Sequence, residues 1–259
     1  MTRAIILAAG LGERLVRGKA YPKPLQPVRG VPLIVRVLRN LESAGVTDVG
    51  IVVGHLGEVL IEAIDDLPLD LSLHYFWNRQ YDKPNGTSLL AAKDFVQGPT
   101  FLLMSDHLWS HDLIERVRSY PLQHNEAVLG VDFKIDDCCD LDDATKVRLQ
   151  GDRIHAIGKQ LSGYDALDTG VFRITPAVIE ALERVDGPNG CSLSQGMAEL
   201  AAEGRMRAVD VQEAAWVDVD TPLAQAHAEE LLRRYGPSLR PMVPVAPVAP
   251  AVALGIPAE

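Results

Sequence analysis

Four residues near the start of the chain have the types and spacing of an anion cradle. Gly10, Gly12, Arg14 and Lys23 lie within the stretch IILAAGLGERLVRGKAYPKP. The apolar run reads as a buried strand ending at Ala9, so Gly10 to Arg14 falls just beyond a strand's carboxyl end, where open sheets bind ligands. Glycines let backbone amides approach phosphate oxygens, and an arginine can fork two hydrogen bonds to them. Lys23 stands between Pro22 and Pro24, a rigid mount for a compact charge. No third glycine follows three residues after Gly12, as a dinucleotide fingerprint needs, and no Gly-Lys-Ser/Thr closes a P-loop.

Carboxylates recur later. Asp106 follows an apolar run in LLMSDHLWS, where it can face a nucleotide or cap the next helix; Asp218 and Asp220 come in WVDVDT, on one side of an extended segment. His107 reads as a loop or packing histidine. No Ser-His-Asp or Cys-His set is seen.

The elements that must position these groups alternate. Strands are expected at Ala4–Ala9, Val49–Val53, Leu71–Phe76, Phe101–Met104, Ala127–Val131 and Arg207–Val211. Helices are expected from Pro32, at Glu58–Asp65, Thr87–Phe95, His111–Ser119, Ala177–Val185, Leu193–Ala202 and Pro222–Arg234. This alternation makes an α/β protein with a mostly parallel central sheet and helices on both faces. The segment from about 132 to 174 departs from it: Lys146–Leu149 and Arg153–Ile157 flank Gly151-Asp152 as a hairpin. One domain over 1–236 is expected, followed by a Pro-rich tail, 237–259, expected to be disordered.

The formal charge is −10 over 259 residues, which disfavours general nucleic-acid binding. Cys138, Cys139 and Cys191 form no CxxC pair, so neither a disulfide framework nor a zinc site is expected. With no signal-peptide pattern and no apolar run of spanning length, a cytoplasmic location is expected.

The stretch LAAGLGERL…PKPLQPVRGVPLI resembles the signature of nucleotidyltransferases that join a nucleoside triphosphate to a phosphorylated alcohol or sugar. DATKVRLQGDRIHAIGKQL, DALDTGVF and WVDVDT are similar to the CTP:inositol-1-phosphate cytidylyltransferase group, and the resemblance runs to about Arg234. It implies a Rossmann-like, GT-A-like sheet with a small β-rich acceptor-binding insertion. It implies Mg²⁺-dependent cytidylyl transfer from CTP to a phosphorylated alcohol, inositol 1-phosphate being favoured, with release of pyrophosphate. Arg14, Lys23 and Asp106 would carry catalysis. Leu7, Ala8, Ala9, Gly10, Gly12, Asn85, Gly86, Thr87 and Ser105 would join them around the nucleotide. Lys146, Lys159 and the turn of Asp168, Thr169 and Gly170 would face the acceptor. Asp106 and one of the pair Asp218 and Asp220 would hold Mg²⁺. Phosphocholine, phosphonate and sugar-1-phosphate acceptors stay open within the same frame. A tether toward another domain or a membrane is the sharper reading of the tail, and a membrane phosphotransferase is a partner that the resemblance allows. A GT-A glycosyltransferase would place Asp-x-Asp near the middle, where this chain has Ser-Asp-His. A nucleotide sensor that had lost catalysis would lack Lys23 or a metal carboxylate; here they coexist.

Overall fold

The structure is a computed structural model and describes residues 2–12, 14–15, 21–237 and 239. The chain opens with β1 (Arg3–Ala8), makes a 3-10 turn over Lys23–Leu25 and a short hairpin of β2 (Pro27–Val28) and β3 (Val31–Pro32), then enters α1 (Leu33–Ser43). β4 (Asp48–Val53), α2 (Gly57–Asp65), β5 (Ser72–Trp77), α3 (Gly86–Ala91), β6 (Thr100–Met104), β7 (His107–Trp109), α4 (His111–Ser119) and β8 (Ala127–Asp132) follow. The remainder comprises β9 (Lys146–Gln150), β10 (Arg153–Gly158), β11 (Ala166–Ile174), α5 (Pro176–Val185), α6 (Leu193–Ala202), β12 (Met206–Asp210), β13 (Trp216–Asp218) and α7 (Pro222–Tyr235).

Nine strands form one mixed sheet in the order β5-β4-β1-β6-β11-β8-β12-β10-β9. β5, β4, β1 and β6 are parallel neighbours. β11 runs antiparallel between β6 and β8, and β12 lies parallel beside β8. β10 runs antiparallel to both β12 and β9. Seven of the nine strands thus share one direction, as a mostly parallel sheet requires, and two, β11 in the middle and β10 near one edge, are reversed. The expected hairpin is β9 and β10, and β9 also pairs with the start of β11.

Residues 4 to 9 are all apolar because β1 is covered on both faces. Ile5 and Leu7 enter a core cluster with residues of α3, α5 and α6. Ala4, Ile6 and Ala8 enter a second cluster with residues of α1, α2 and α4. A third cluster is smaller and joins the β2–β3 hairpin, β7, β13 and α7 through Val28, Leu108, Val217 and Leu232.

Three expectations need correction. The helix expected over Thr87–Phe95 ends at Ala91 and is followed by a 3-10 turn over Lys93–Phe95. Asp168-Thr169-Gly170, expected as a turn, lies inside β11 where its register with β8 shifts. The tail was expected to leave the domain at residue 237, yet Leu239 is 2% exposed and buried in the third cluster. The other tail residues, apart from Pro237, lie outside the described residues. Among the described residues, no helix is long and apolar enough to cross a membrane.

Candidate active site

A cavity of about 850 Å³ opens beyond the carboxyl ends of β1 and β6. Its wall includes Leu7, Ala8, Ala9, Gly10, Gly12 and Arg14 from the first strand and its loop, and Ser105 and Asp106 from the turn after β6. Gly12 has φ +65°, and a Cβ there would lie 2.4 Å from the Lys23 Cβ. Glycine is thus required twice at this position: for its backbone, and for the lysine stem packed against it. That stem is held in the 3-10 turn by Pro22 and Pro24, and Lys23 is buried.

The charged groups form a chain of alternating sign. Lys159 Nζ lies 2.6 Å from Asp143 Oδ1, and Arg14 Nη1 lies 2.8 Å from Asp143 Oδ2. Arg14 also pairs with Asp220, and Asp220 with Lys23. Lys23 Nζ reaches Asp106 Oδ2 at 2.6 Å, and Asp106 Oδ1 lies 2.8 Å from His107 Nδ1. The chain links the glycine loop after β1, the turn after β6, the last carboxylates and the β9–β10 hairpin.

A two-stranded sheet brings the distant carboxylates together. β7 and β13 pair antiparallel, placing Asp218 opposite His107 and Trp216 opposite Trp109. His107 stacks on Trp216, with ring centroids 6.4 Å apart. A Cβ on Gly170, whose φ is +74°, would lie 2.4 Å from the His107 ring, so the shift in β11 makes room for this histidine. Burial opposes a charge on His107, but Asp218, Asp106 and Asp168 outweigh it and push the imidazole up to about 9. Burial likewise opposes the Asp106 carboxylate, and Lys23 with His107 outweighs it, holding that group far below the usual range. Asp168 is pushed up to about 6 by burial. Asp218 is raised, first by burial and then by the Asp106 charge.

The donor set fits a hard divalent cation. Asp143, Asp218 and Asp220 each offer an oxygen within 4.8 Å of the others, and Asp106, His107 and Asp218 form a second such group. Asp218 Oδ1 is buried without a hydrogen-bond partner among the described residues, and the nearest cationic atom, His107 Nδ1, is 3.8 Å away. A buried carboxylate oxygen without a partner is costly, and a metal ion would satisfy it. Asp220 is engaged by Lys23 and Arg14, as Asp106 is by Lys23 and His107, so Asp218 is the carboxylate of the three with an oxygen lacking a hydrogen-bond partner among the described residues.

Other expected residues divide. Asn85 lines the cavity, but its Oδ1 accepts from the Leu193 backbone N–H at 2.9 Å. Gly86 and Thr87 do not line it: Gly86 abuts the Cys191 carbonyl, and the Thr87 hydroxyl donates to the Pro84 carbonyl at 2.8 Å. Ser88, one turn on, does line it. On the opposite wall Lys159, Asp168 and Gly170 are present, whereas Lys146 and Thr169 are not. The buried Lys146 ammonium donates to the Asp142 carbonyl at 3.2 Å, and the Thr169 hydroxyl to the Gly130 carbonyl at 2.8 Å.

Sequence reasoning missed Asp143, the central place of His107, and one face of α7. Ala224, His227, Leu231 and Arg234 of that helix line the cavity, a spacing legible as one helical stripe. Nothing in the sequence separates Asp143 from its acidic neighbours Asp140 and Asp142.

The model of the MobA-like NTP transferase domain matches residues 4–135, which contain the glycine loop after β1, Lys23 and Asp106. A bifunctional IPC transferase and DIPP synthase of Rubrobacter xylanophilus is 35% identical over 237 residues, covering 91% of this chain and 53% of that protein. The protein of the same name in Thermococcus kodakarensis is 33% identical over 234 residues, covering 90% and 51%. This chain therefore spans about half the length of the curated relatives it matches. Among solved structures, the inositol-1-phosphate CTP transferase from T. maritima superposes with a TM-score of 0.80 at 25% identity, covering 92% of this chain and 96% of that one. The matched segment carries the loop, the lysine and the carboxylate from which the cavity is built, and the chain belongs to the MobA-like NTP transferase domain family.

Proposed function

We propose that the chain transfers a cytidylyl group from CTP to a phosphorylated alcohol, inositol 1-phosphate being the favoured acceptor, to give CDP-inositol and pyrophosphate. The carrying observation is the junction, in one cavity, of the Gly12–Arg14–Lys23 cradle with the Asp106 and Asp218 carboxylates and, on the far wall, Lys159. The names of the IPC transferases and of the T. maritima transferase support the choice of nucleotide and acceptor.

In this reading an acceptor phosphate oxygen attacks the α-phosphorus of CTP. The bond from that phosphorus to the β-phosphate bridging oxygen breaks, and pyrophosphate leaves with the electron pair. No covalent enzyme intermediate is needed, so alignment and charge neutralisation do the work. Lys23 and Arg14 receive the triphosphate charge, and Asp220 fixes both cations beforehand. His107 donates to Asp106 and holds its carboxylate in one orientation. Ser88 and the residues around Asn85 flank the base. Lys159 and Asp168 face the acceptor. Asp106 and Asp218 would hold Mg²⁺, which supplies further neutralisation of phosphate charge. The domain in this reading runs through Leu239, with residues 132–174 as the acceptor-facing insertion, and works in the cytoplasm.

The test is product analysis by mass spectrometry with each nucleoside triphosphate and a panel of phosphorylated alcohols, with Mg²⁺ and with excess chelator. CDP-inositol and pyrophosphate from CTP and inositol 1-phosphate, lost on chelation, are the expected outcome. Transfer to a sugar 1-phosphate or phosphocholine alone would replace the acceptor. No pyrophosphate from any pair would remove the reading.

A further inference from the structure

Asp143 sits between the cations of two different subsites. Its Oδ2 takes the Arg14 guanidinium at 2.8 Å, and its Oδ1 takes the Lys159 ammonium at 2.6 Å. Arg14 belongs to the phosphate loop, and Lys159 follows the β9–β10 hairpin. The Asp143 side chain is 30% exposed on the cavity wall, so both its partners and incoming ligands reach it. Burial would raise this carboxyl, but the hydrogen bonds from Lys159 and Arg14 outweigh that and lower it, keeping the charge in place.

A carboxylate there has a cost. Both substrates are anions, and a fixed negative charge between their cations repels each of them. It also prevents one outcome that the reaction cannot tolerate. Two cations joined by nothing would together suit a single polyphosphate, whose successive phosphates could occupy both positions. CTP would then extend into the acceptor's place, and pyrophosphate would bridge the two subsites after transfer. With Asp143 present, the arginine and the lysine are each joined to one shared carboxylate, so neither offers its full charge to a phosphate chain that would span both.

Resting on the cytidylyl-transfer reading above, we propose that Asp143 is a positioning residue that partitions the triphosphate subsite at Arg14 from the acceptor-phosphate subsite at Lys159, excluding polyphosphate from the latter. The partition is a specificity device, and Asp143 itself bonds to neither substrate's reacting atoms.

The experiment compares the wild-type chain, D143N and D143E by steady-state kinetics with CTP, inositol 1-phosphate and Mg²⁺, with added pyrophosphate as the probe. In D143N, pyrophosphate is expected to become competitive against inositol 1-phosphate, its inhibition constant falling about tenfold or more, the scale of one charge-assisted contact. Excess CTP should become inhibitory by the same route. D143E keeps the charge and should keep the wild-type inhibition pattern, whatever its turnover. A residue with only a structural role would lower the melting temperature and turnover together without changing the inhibition pattern. Wild-type inhibition patterns in D143N, or the same new pattern in D143E, would overturn the partition. If D143N does not fold, D143S is read in the same way. An inactive wild type would remove the functional reading and this inference with it, whereas an active wild type with unchanged D143N removes the inference alone.

Discussion

Gly12 and Lys23 constrain each other, and both can be tested. Lys23 bridges Asp106 and Asp220, so Lys23→Ala removes the cation proposed to meet the triphosphate and leaves two carboxylates facing each other. Turnover is expected to fall at least ~100-fold, the usual scale for losing a preorganised charge stabiliser. Circular dichroism should show the fold retained, and near wild-type turnover would overturn the assignment. Gly12→Ala acts on the same lysine from behind. The added methyl meets the Lys23 stem and a backbone at φ +65°, so the loop or the lysine must move. A displacement of this size at a catalytic cation lowers turnover about 10- to 100-fold, and unchanged kinetics in this variant would show that the loop is free to shift. The sequence made Gly12, Arg14, Lys23 and Asp106 legible because their identities are rare and their spacing follows a strand. It could not make Asp143 legible, since five acidic residues crowd positions 136 to 143 and only the fold selects one. His107 read as packing because a histidine's neighbours, here Asp106, Asp168 and Asp218, are set by three separate segments.

The long parallel strands were readable from their apolar runs, which reflect burial on both faces. The two-stranded sheet of β7 and β13 was not, because three residues carry no periodicity and include His107 and Asp218. Yet this sheet is the element that registers the turn after β6 against the last carboxylates. One side chain ties it to the main sheet: the Trp216 indole N–H donates to Asp132 Oδ2 at 2.7 Å, at the end of β8. Asp132 is 5% exposed and also accepts from Lys134. Trp216→Phe should therefore lose one hydrogen bond to a charged acceptor while leaving that acceptor paired, a cost of about 1.5–3 kcal/mol. Urea denaturation followed by far-ultraviolet dichroism checks the stability. A midpoint equal to the wild type would show that the small sheet is held by its apolar contacts alone.

At the scale of the whole molecule, three apolar clusters stabilise the fold, and the smallest lies under the proposed metal carboxylate Asp218. It joins α7 to β7 and β13, and so seats the strand that ends in Asp218. Its last member is Leu239, beyond the helix and inside a segment whose prolines suggest no structure. Gly236, with φ +78°, ends α7, and its carbonyl accepts from the Leu239 N–H at 3.1 Å, which turns the chain back onto Leu232. Two truncations separate the anchoring residues from the rest. A chain ending at Arg240 keeps Leu239 and should match the full chain in melting temperature and turnover. A chain ending at Gly236 loses the burial of one leucine, about 1.5–3 kcal/mol, and should melt earlier. Because that leucine packs on the cluster holding β13, the Gly236 chain should also bind Mg²⁺ less tightly than the Arg240 chain. Equal melting and equal metal affinity for the two would place the end of the working domain at α7. A loss already present at Arg240 would show that residues beyond it support the site.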